Sequence, residues 1–366
     1  MVKRIFSSES LFHKRVRKFR SCKRAYFSLW ILMTLYIVSF FSPLLVNDKA
    51  LLVRYENQYY FPAFSDLFGS FFSVHYDCTQ FGQTEIFGKK AYGPPHYREL
   101  QKQYQTAMTG NRVWMPLYPY NPNENLMTEL KQHPPTHCDS KHILGTDNRG
   151  RDVFARLVYG FRISLSFALV ITLFSHVLGI IIGALLGYYG GIIDILGQRI
   201  IEMFTAIPIL YMSMILVSFM KPSFILLCLI LIFLEGWIHL TFYIRGEFYR
   251  EKAKEYVLAA IGIGAGDFQV MFKHILPNSL TPVITFTPFA IVSYITVLVA
   301  LDFLGLGLPP PTPSWGELLN QGVADLRHWH LIVFPLAALF LTLMLVTLIG
   351  EGIRDAFDPK PFSRLR

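Results

Sequence analysis

Six stretches of about 20 residues almost free of charge constrain this chain more than any other feature of its sequence. They lie at residues 26–46, 163–188, 200–220, 224–243, 282–301 and 331–349. A helix of about 20 apolar residues spans the ~30 Å hydrocarbon core of a bilayer. The composition agrees, because only 16% of the 366 residues are charged, whereas soluble domains carry about 25%. The sequence therefore predicts an all-α polytopic membrane protein with about six transmembrane helices.

The distribution of lysine and arginine predicts how the helices are oriented. Basic residues concentrate at 1–25, in the polar segment 245–278 and in the tail 351–366. Such segments beside transmembrane helices stay in the cytoplasm. Residues 1–25 are thus expected to be a cytoplasmic N-terminus ahead of a retained signal-anchor helix, since no cleavage site follows it. The net charge of +9 then reflects contact with anionic membrane lipid and does not indicate nucleic-acid binding.

Residues 47–156 contain no spanning run and are predicted to form an insertion outside the membrane. The insertion is expected to be a small β-rich or irregular domain, followed by a transmembrane helical core at 157–350. Both Cys78 and Cys138 lie in it, on a side of the membrane where thiols can oxidise. A disulfide between Cys78 and Cys138 is one hypothesis, and two free thiols are the alternative.

Metal binding is not predicted in the insertion. A loose group of possible ligands occurs in HPPTHCDSKH, namely His133, His137, Cys138 and His142. The spacing does not match a zinc site, and two adjacent prolines favour an extended linker.

The polar segment 245–278 contains a second informative pattern. Residues 251–261 lack glycine and proline and are rich in helix formers, which predicts a short helix. Ala259, Ala260, Gly262 and Gly264 then leave little side-chain bulk, so another chain can approach closely. Tyr256 and Leu258 are candidate anchors for that contact.

This pattern resembles the EAA loop of permease subunits in ATP-binding-cassette (ABC) importers. The matching residues are Leu258-Ala259-Ala260, Gly264 and Ile275-Leu276-Pro277. Two departures are Leu258, where family members often have glutamate, and His274, where they have an aliphatic residue. The resemblance implies a loop that docks on an ATPase subunit through Glu255, Tyr256, Leu258, Ala259, Ala260, Gly264, Ile275, Leu276 and Pro277.

The stretch ILGTDNRGRDVFARLVYGFRISL, residues 143–165, is similar to a signature of dipeptide and oligopeptide permeases. Its candidate site residues are Gly145, Thr146, Asp147, Gly150, Arg151 and Asp152. Thr146 or Asp147 is expected to cap the helix that follows. The charged residues are expected to form an ionic cluster at the outer membrane face: Asp147, Arg149, Arg151, Asp152 and Arg156. A Ca²⁺ loop is the less favoured alternative, because the ligand spacing is wrong and two arginines lie inside it.

Further stretches are similar to the same family. They are NDKALLVRYENQYYFP, GYYGGIID, DFLGLGLPPPTPSWGELL and GEGIRDAFDPK. The first resembles a subgroup that serves oligopeptide and microcin C import. The Pro- and Gly-rich third stretch is expected to form a rigid turn at the outer surface.

The resemblance implies a type I ABC importer permease (MetI-like) in the bacterial inner membrane, with both termini cytoplasmic. It also implies three protein partners, which are a second homologous permease, a cytoplasmic ABC ATPase and a periplasmic solute-binding protein that delivers peptide. No G-x-x-x-x-G-K-[ST] motif occurs, so ATP and Mg²⁺ are expected on the ATPase, and no cofactor is expected in this chain.

Four ionisable residues lie inside the predicted transmembrane helices: His176, Glu202, Glu235 and His239. Glu202 is expected to pair with Arg199 or to reach the membrane interface. Glu235 and His239 are four residues apart and are expected to be able to hydrogen-bond each other. They indicate either a polar helix contact or translocation wall, or a proton relay in an ion-driven secondary transporter. The second alternative is disfavoured because internal inverted repeats and further intramembrane acids are missing.

Glycines at positions 179, 183 and 187 recur every four residues in the second predicted transmembrane helix. Such a face allows another helix to approach closely. A close helix–helix contact is therefore predicted along this face.

Overall fold

The computed structural model describes residues 11–67, 75–90, 92–107, 110–130 and 132–357. The first ten residues of the predicted N-terminal segment and residues 358–366 of the predicted tail lie outside this range. The chain forms two compact units. The helical unit comprises residues 1–33, 165–309 and 340–366, and the insertion unit comprises residues 34–164 and 310–339.

Helices account for most of the described structure. Those up to the long helix after the insertion are α1 (Leu11–Ser21), α2 (Lys23–Phe40), α3 (Ser42–Leu45), α4 (Pro62–Leu67), α5 (Tyr97–Ala107) and α6 (Val153–Tyr189). The following ones are α7 (Gly191–Thr205), α8 (Ile209–Phe219), α9 (Phe224–Leu231), α10 (Ile238–Lys252), α11 (Glu255–Gly262), α12 (Asp267–Gln269), α13 (Leu276–Ser279), α14 (Thr281–Phe303), α15 (Trp315–Ala324) and α16 (His330–Phe357).

Three of the described helices are long and apolar enough to cross a membrane, namely α6, α14 and α16. Two bent pairs, α7 with α8 and α9 with α10, raise the number to five if each pair is one transmembrane segment. The expected number was six. The difference is the first predicted helix, 26–46, whose counterpart α2 begins with Lys23 and Arg24 and already ends at Phe40.

The third and fourth predicted transmembrane helices are broken rather than continuous. Between α7 and α8 the chain bends by 73° at Pro208. Proline lacks the N–H that would continue the helix and disfavours helical geometry in the residue before it. Between α9 and α10 a π-helical turn at Ile232–Gly236 accompanies a bend of 42°.

The glycine face of α6 packs directly against α10, as the four-residue spacing predicts. A Cβ at Gly179 would lie 2.9 Å from the Trp237 carbonyl oxygen, and one at Gly183 would lie 2.8 Å from the Thr241 carbonyl oxygen. A Cβ at Gly187 would lie 2.7 Å from the Arg245 carbonyl oxygen. Since these neighbours are backbone atoms, a side chain on this face would force the two helices apart.

The insertion unit contains a small antiparallel sheet of β1 (Leu52–Tyr55), β2 (Gln58–Tyr60) and β5 (Arg112–Trp114), in the order β2-β1-β5. A second hairpin joins β3 (Glu85–Ile86) to β4 (Lys89–Lys90). Val53 pairs with Tyr60 on one side and Val113 on the other. Val53, Phe81 and Leu100 are fully buried and form its core. The insertion, expected to be β-rich or irregular, is therefore a small domain with both helices and strands.

The disulfide hypothesis is wrong, because Cys78 and Cys138 are both free thiols. Cys78 is buried in the domain core, and its Sγ lies 3.2 Å from an Asp77 carboxylate oxygen. Cys138 is exposed. A buried and an exposed thiol of this kind do not meet without a rearrangement of the core.

A buried ionic cluster joins α5 to the loop after β5. Arg98 donates to Glu124 Oε2 at 2.9 Å and to Glu129, and His96 Nε2 lies 3.1 Å from Glu129 Oε1. Burial alone would raise the pKa of Glu129, but the bonds from His96 and Arg98 hold it at about 2. Although His96, Glu124 and Glu129 lie close enough together to hold a metal ion, the Arg98 guanidinium already supplies the positive charge there.

Replacing Arg98 by methionine is expected to destabilise the insertion unit by about 3 kcal/mol, since two largely buried carboxylates lose their cation. Limited proteolysis of the purified protein on a temperature gradient measures this as earlier cleavage within residues 47–130. Lys102→Met is the control, because Lys102 pairs with Glu99 while its side chain is 66% exposed, and such pairs contribute about 0–1 kcal/mol. Equal cleavage temperatures for the two variants would refute a stabilising role for the Arg98 cluster.

Candidate functional site

The 245–278 loop is a compact helical structure. Helix α10 continues into it as far as Lys252, and α11 begins at Glu255 after one turn. The helix expected at 251–261 is thus correct in kind but begins four residues later, because Glu251 still belongs to α10. A short α12, a π-helical turn at Val270–Ile275 and α13 complete the loop.

Polar contacts fix α11 to the helices on either side of it. Glu251 is 2% exposed and pairs with Lys254 Nζ at 2.7 Å. The Tyr256 hydroxyl donates to Glu251 at 2.8 Å and accepts from the Asn278 amide at 3.1 Å. Tyr256 therefore stabilises the loop itself by hydrogen bonds, whereas the sequence suggested that it contacts another chain. Val257, which the motif did not single out, is fully buried in an apolar core that the loop shares with α6 and α10.

Several apolar side chains of the loop are exposed. Leu258 is 57% exposed, Ile263 88% and Phe268 74%. Together with Ile261, they make up what we call the exposed apolar cluster. The motif indicated only Leu258, although isoleucine and phenylalanine beside glycines in a polar loop are themselves a signal. Exposed apolar clusters of this kind mark contact surfaces.

The other predicted loop residues differ in burial. Ala259 and Pro277 are exposed, while Ala260 and Ile275 are buried and Leu276 is half-buried. Gly264 has φ +88° and no atom within 4 Å of where a Cβ would be. Glycine is thus required there by backbone conformation, and the surface around it is open to an approaching chain.

A second group of contacts ties the loop to α7, and sequence reasoning missed it. Arg245 donates from Nε and Nη2 to the two Asp194 carboxylate oxygens at 2.5 and 2.6 Å. The Tyr249 hydroxyl donates to Asp194 at 2.7 Å. Tyr188 donates to Asp267 at 2.7 Å, which joins the end of α6 to α12. The loop and its flanking helix are therefore hydrogen-bonded to both α6 and α7.

The 143–165 signature forms a buried ionic cluster in the insertion unit. Asp147 is fully buried and accepts from the backbone N–H groups of Arg149 and Arg151, each at 2.9 Å. Its other oxygen accepts from Arg151 Nε at 2.7 Å. Gly150 adopts φ +71° in the tight turn. The Asp147 oxygens are thus occupied by donors of this chain, which argues against the Ca²⁺ alternative.

Helix α15 completes the cluster through a residue that sequence reasoning did not select. Glu317 accepts from Arg151 at 2.8 Å and from Arg156 at 2.5 Å. Arg156 is fully buried, whereas Arg149 remains half-exposed and is 3.9 Å from Glu317. The predicted cluster therefore needs Glu317 to balance its two buried arginines.

Asp152 belongs to a neighbouring network. Its Oδ2 accepts from the Tyr118 hydroxyl at 2.6 Å and lies 2.9 Å from His142 Nδ1, while its Oδ1 accepts from the Ala155 N–H at 2.9 Å. Asp152 thus caps α6, and the expected cap by Thr146 or Asp147 is wrong. Thr146 instead pairs with Thr136 at 2.9 Å, and a Cβ at Gly145 would lie 2.5 Å from the Thr136 carbonyl oxygen.

The ionisable residues of the helical unit behave differently from one another. Glu202 pairs with Arg199 at 2.6 Å, which confirms that expectation. Glu235 and His239 form no hydrogen bond to each other in the described structure, because the π-helical turn removes the regular four-residue relation. Both line a cavity together with His176.

The sequence of this chain matches a known protein family and several known proteins. Residues 179–363 match the family described as "Binding-protein-dependent transport system inner membrane component". The chain is 38% identical over 345 residues to the inner membrane ABC transporter permease protein YejE of Escherichia coli, covering 94% of this chain and 96% of that protein. It is 35% identical over 365 residues to the peptidoglycan transport system permease protein YejE of Agrobacterium fabrum, covering 96% and 93%.

Relatives named for dipeptide transport are also similar. The dipeptide transport system permease protein DppC of Haemophilus influenzae is 35% identical over 248 residues, which cover 66% of this chain and 83% of that protein. These relatives confirm the resemblance that the loop and signature motifs indicated, and they are permease components rather than ion-driven transporters. The family match, the relatives and the apolar helices together show that this chain belongs to the ABC transporter permeases, the inner membrane components of binding-protein-dependent transport systems.

Proposed function

We propose that this chain is one of two permease subunits in an ATP-driven importer and that it translocates peptides across the inner membrane. The observation that supports the proposal best is the exposed apolar cluster on the 245–278 loop. Such a surface is suited to docking in an apolar cleft of an ATPase subunit. The chain itself supplies no catalytic group, and ATP with Mg²⁺ is bound and hydrolysed on that separate subunit.

The contacts of the loop suggest how force reaches the transmembrane helices. Movement of the ATPase would push on Leu258, Ile263 and Phe268. The ties from Arg245 to Asp194 and from Tyr188 to Asp267 would carry that movement to α7 and α6. The inward-facing and outward-facing states of the importer must bind ATP or the loaded binding protein with different affinity. Otherwise ATP hydrolysis would not be coupled to transport.

The proposed orientation places both termini and the 245–278 loop in the cytoplasm and the insertion unit in the periplasm. It is supported by the basic residues of the loop and of α1. In this orientation the insertion unit faces the solute-binding protein that delivers the peptide. A homologous second permease would complete the translocation path.

The names of the relatives suggest two substrate classes for this chain. One is named for dipeptide transport and one for peptidoglycan transport. Both names refer to molecules that contain peptides, so we propose peptides as the common chemistry and cell-wall peptides as the second candidate.

Reconstitution tests the proposal. The chain, its neighbouring permease and ATPase subunits and the binding protein are placed in liposomes, and uptake of labelled dipeptides, oligopeptides and muropeptides is followed. Uptake of at least one class is expected only with ATP and loaded binding protein. Uptake driven by a proton gradient without ATP would refute the proposal.

A further inference from the structure

A small, mostly apolar cavity of about 220 Å³ with several polar side chains in its lining lies within the helical unit, apart from the 245–278 loop. Three stretches line it, namely α6, the region around the π-helical turn, and α14. Its polar lining is formed by His176, Glu235, His239, Ser293 and Tyr294. We call this cavity the His176 pocket. Ionisable side chains in the apolar helices of a membrane protein are costly and usually mark a substrate path.

His176 has no partner for either ring nitrogen. Its side chain is only 9% exposed, and neither Nδ1 nor Nε2 has a hydrogen bond in the described structure. Buried polar groups are nearly always hydrogen-bonded, because leaving one unsatisfied costs free energy. Both nitrogens are closed to solvent in this conformation, and a turn of the ring toward the cavity would let an occupant that this chain does not supply satisfy the imidazole.

Glu235 supplies a carboxylate to the same cavity. It lies on the π-helical turn at Ile232–Gly236, and such turns often occur at functional sites. The Tyr294 hydroxyl donates to the Gly236 carbonyl oxygen at 3.3 Å, which holds the turn against α14. No hydrogen bond from another described side chain reaches the Glu235 carboxylate, so it is available to a cation.

Aromatic rings form one wall of the pocket. Tyr243 and Phe286 are stacked with their ring centroids 4.1 Å apart. Ring faces favour organic cations as well as apolar groups. A metal ion fits less well, since the only described set of three ligand groups within 4.8 Å of one another is the one around His96. The combination of one carboxylate, imidazoles and aromatic faces instead fits an ammonium group next to an apolar side chain.

We propose that the His176 pocket binds the terminal ammonium group of the peptide during translocation, with Glu235 as its counter-ion. This inference rests on the proposed function. Pockets for whole drug-sized ligands measure about 300–1,000 Å³, so the His176 pocket holds the amino-terminal residue and leaves the rest of the peptide outside. His176 and the Ser293 hydroxyl are then hydrogen-bond partners for the first peptide unit.

Charge-selective labelling tests the pocket in the assembled complex. Ser293→Cys is introduced after the four native cysteines are replaced by serine, and the complex is treated in membranes with 2-aminoethyl or 2-sulfonatoethyl methanethiosulfonate. After correction for intrinsic reactivity, the cationic reagent is expected to react about tenfold faster, which corresponds to ~1.4 kcal/mol. Glu235→Gln is expected to remove this preference. Glu202→Gln, which changes an exposed carboxylate of α7, is expected to retain it.

Thr296→Cys is the matched position outside the pocket, because Thr296 lies exposed one turn further along α14. It is expected to show no charge preference that depends on Glu235. During ATP-driven turnover, a peptide with a free amino terminus is expected to slow labelling of Ser293→Cys but not of Thr296→Cys.

The outcomes separate this inference from the proposed function. Equal rates for the two reagents, or a preference that survives Glu235→Gln, would overturn the cation site even if peptide uptake is normal. Selective labelling without protection by peptide would overturn the assignment of the ligand. Absence of any ATP-driven uptake in the unmodified complex would instead refute the proposed function, because the charge preference is measured without peptide or ATP.

Discussion

Leu258→Asp is expected to abolish stimulation of ATP hydrolysis by loaded binding protein while leaving the permease folded. Leu258 is 57% exposed on α11, so the new carboxylate remains solvated in the isolated chain. In the complex it would be buried against an apolar cleft without a partner, which costs several kcal/mol. A loss of this size lowers the affinity of the ATPase by more than 100-fold. The measurements are ATPase activity in liposomes and co-purification of the two subunits.

Leu326→Asp is the matched control, because Leu326 is 70% exposed and lies between α15 and α16. It makes the same chemical change on the face that is proposed to be periplasmic, so it is expected to retain normal stimulation. Ala260→Arg is less informative, since Ala260 is buried and the arginine would disturb packing within the loop. Normal coupling in Leu258→Asp would mean that the exposed apolar cluster is not the docking surface.

Periodic and local features of this fold were predictable from the sequence. The glycine spacing in α6 predicted a close contact, and the contact with α10 is present. The predicted helices at 163–188, 282–301 and 331–349 correspond to α6, α14 and α16. These predictions succeed because hydropathy and glycine spacing act within one helix, where the sequence neighbours are also the spatial neighbours.

Other features depend on which distant residues meet, and the sequence did not reveal them. Nothing near Asp147 indicates Glu317, which lies 170 positions later and balances Arg151 and Arg156. Likewise, Asp194 and Arg245 each looked like an isolated charge before the structure paired them. The π-helical turn at Ile232–Gly236 also escaped prediction, because its apolar residues satisfy the pattern of an ordinary helix. Because of this turn, Glu235 and His239 are not one regular α-helical turn apart, and they form no hydrogen bond to each other in the described structure.

Gly183→Leu is expected to prevent the chain from folding stably in the membrane. Even a Cβ at Gly183 would lie 2.8 Å from the Thr241 carbonyl oxygen and 2.9 Å from Ile244 Cβ. The first of these is a backbone atom, so α10 must move as a whole. Overpacking costs about 1–3 kcal/mol where side chains can give way, and here the larger displacement would also break the approach at Gly179 and Gly187. Fluorescence-detected size exclusion of a tagged protein is expected to show little or no monodisperse peak.

Gly246→Leu is the control, since Gly246 lies in the middle of α10 and no atom lies within 4 Å of where its Cβ would be. Leucine is a better helix former than glycine by up to about 1 kcal/mol, so this variant is expected to retain a monodisperse peak. The pair therefore separates the effect of helix contact from the effect of adding leucine to a helix.

Gly183→Ala is an intermediate change, because it adds only a Cβ at the same contact. Since α10 leads directly into α11, the smaller shift of α10 is expected to leave the protein folded but to lower ATPase stimulation. A Gly183→Leu protein as monodisperse and heat-stable as Gly246→Leu would show that the close α6–α10 contact is not needed for stable folding.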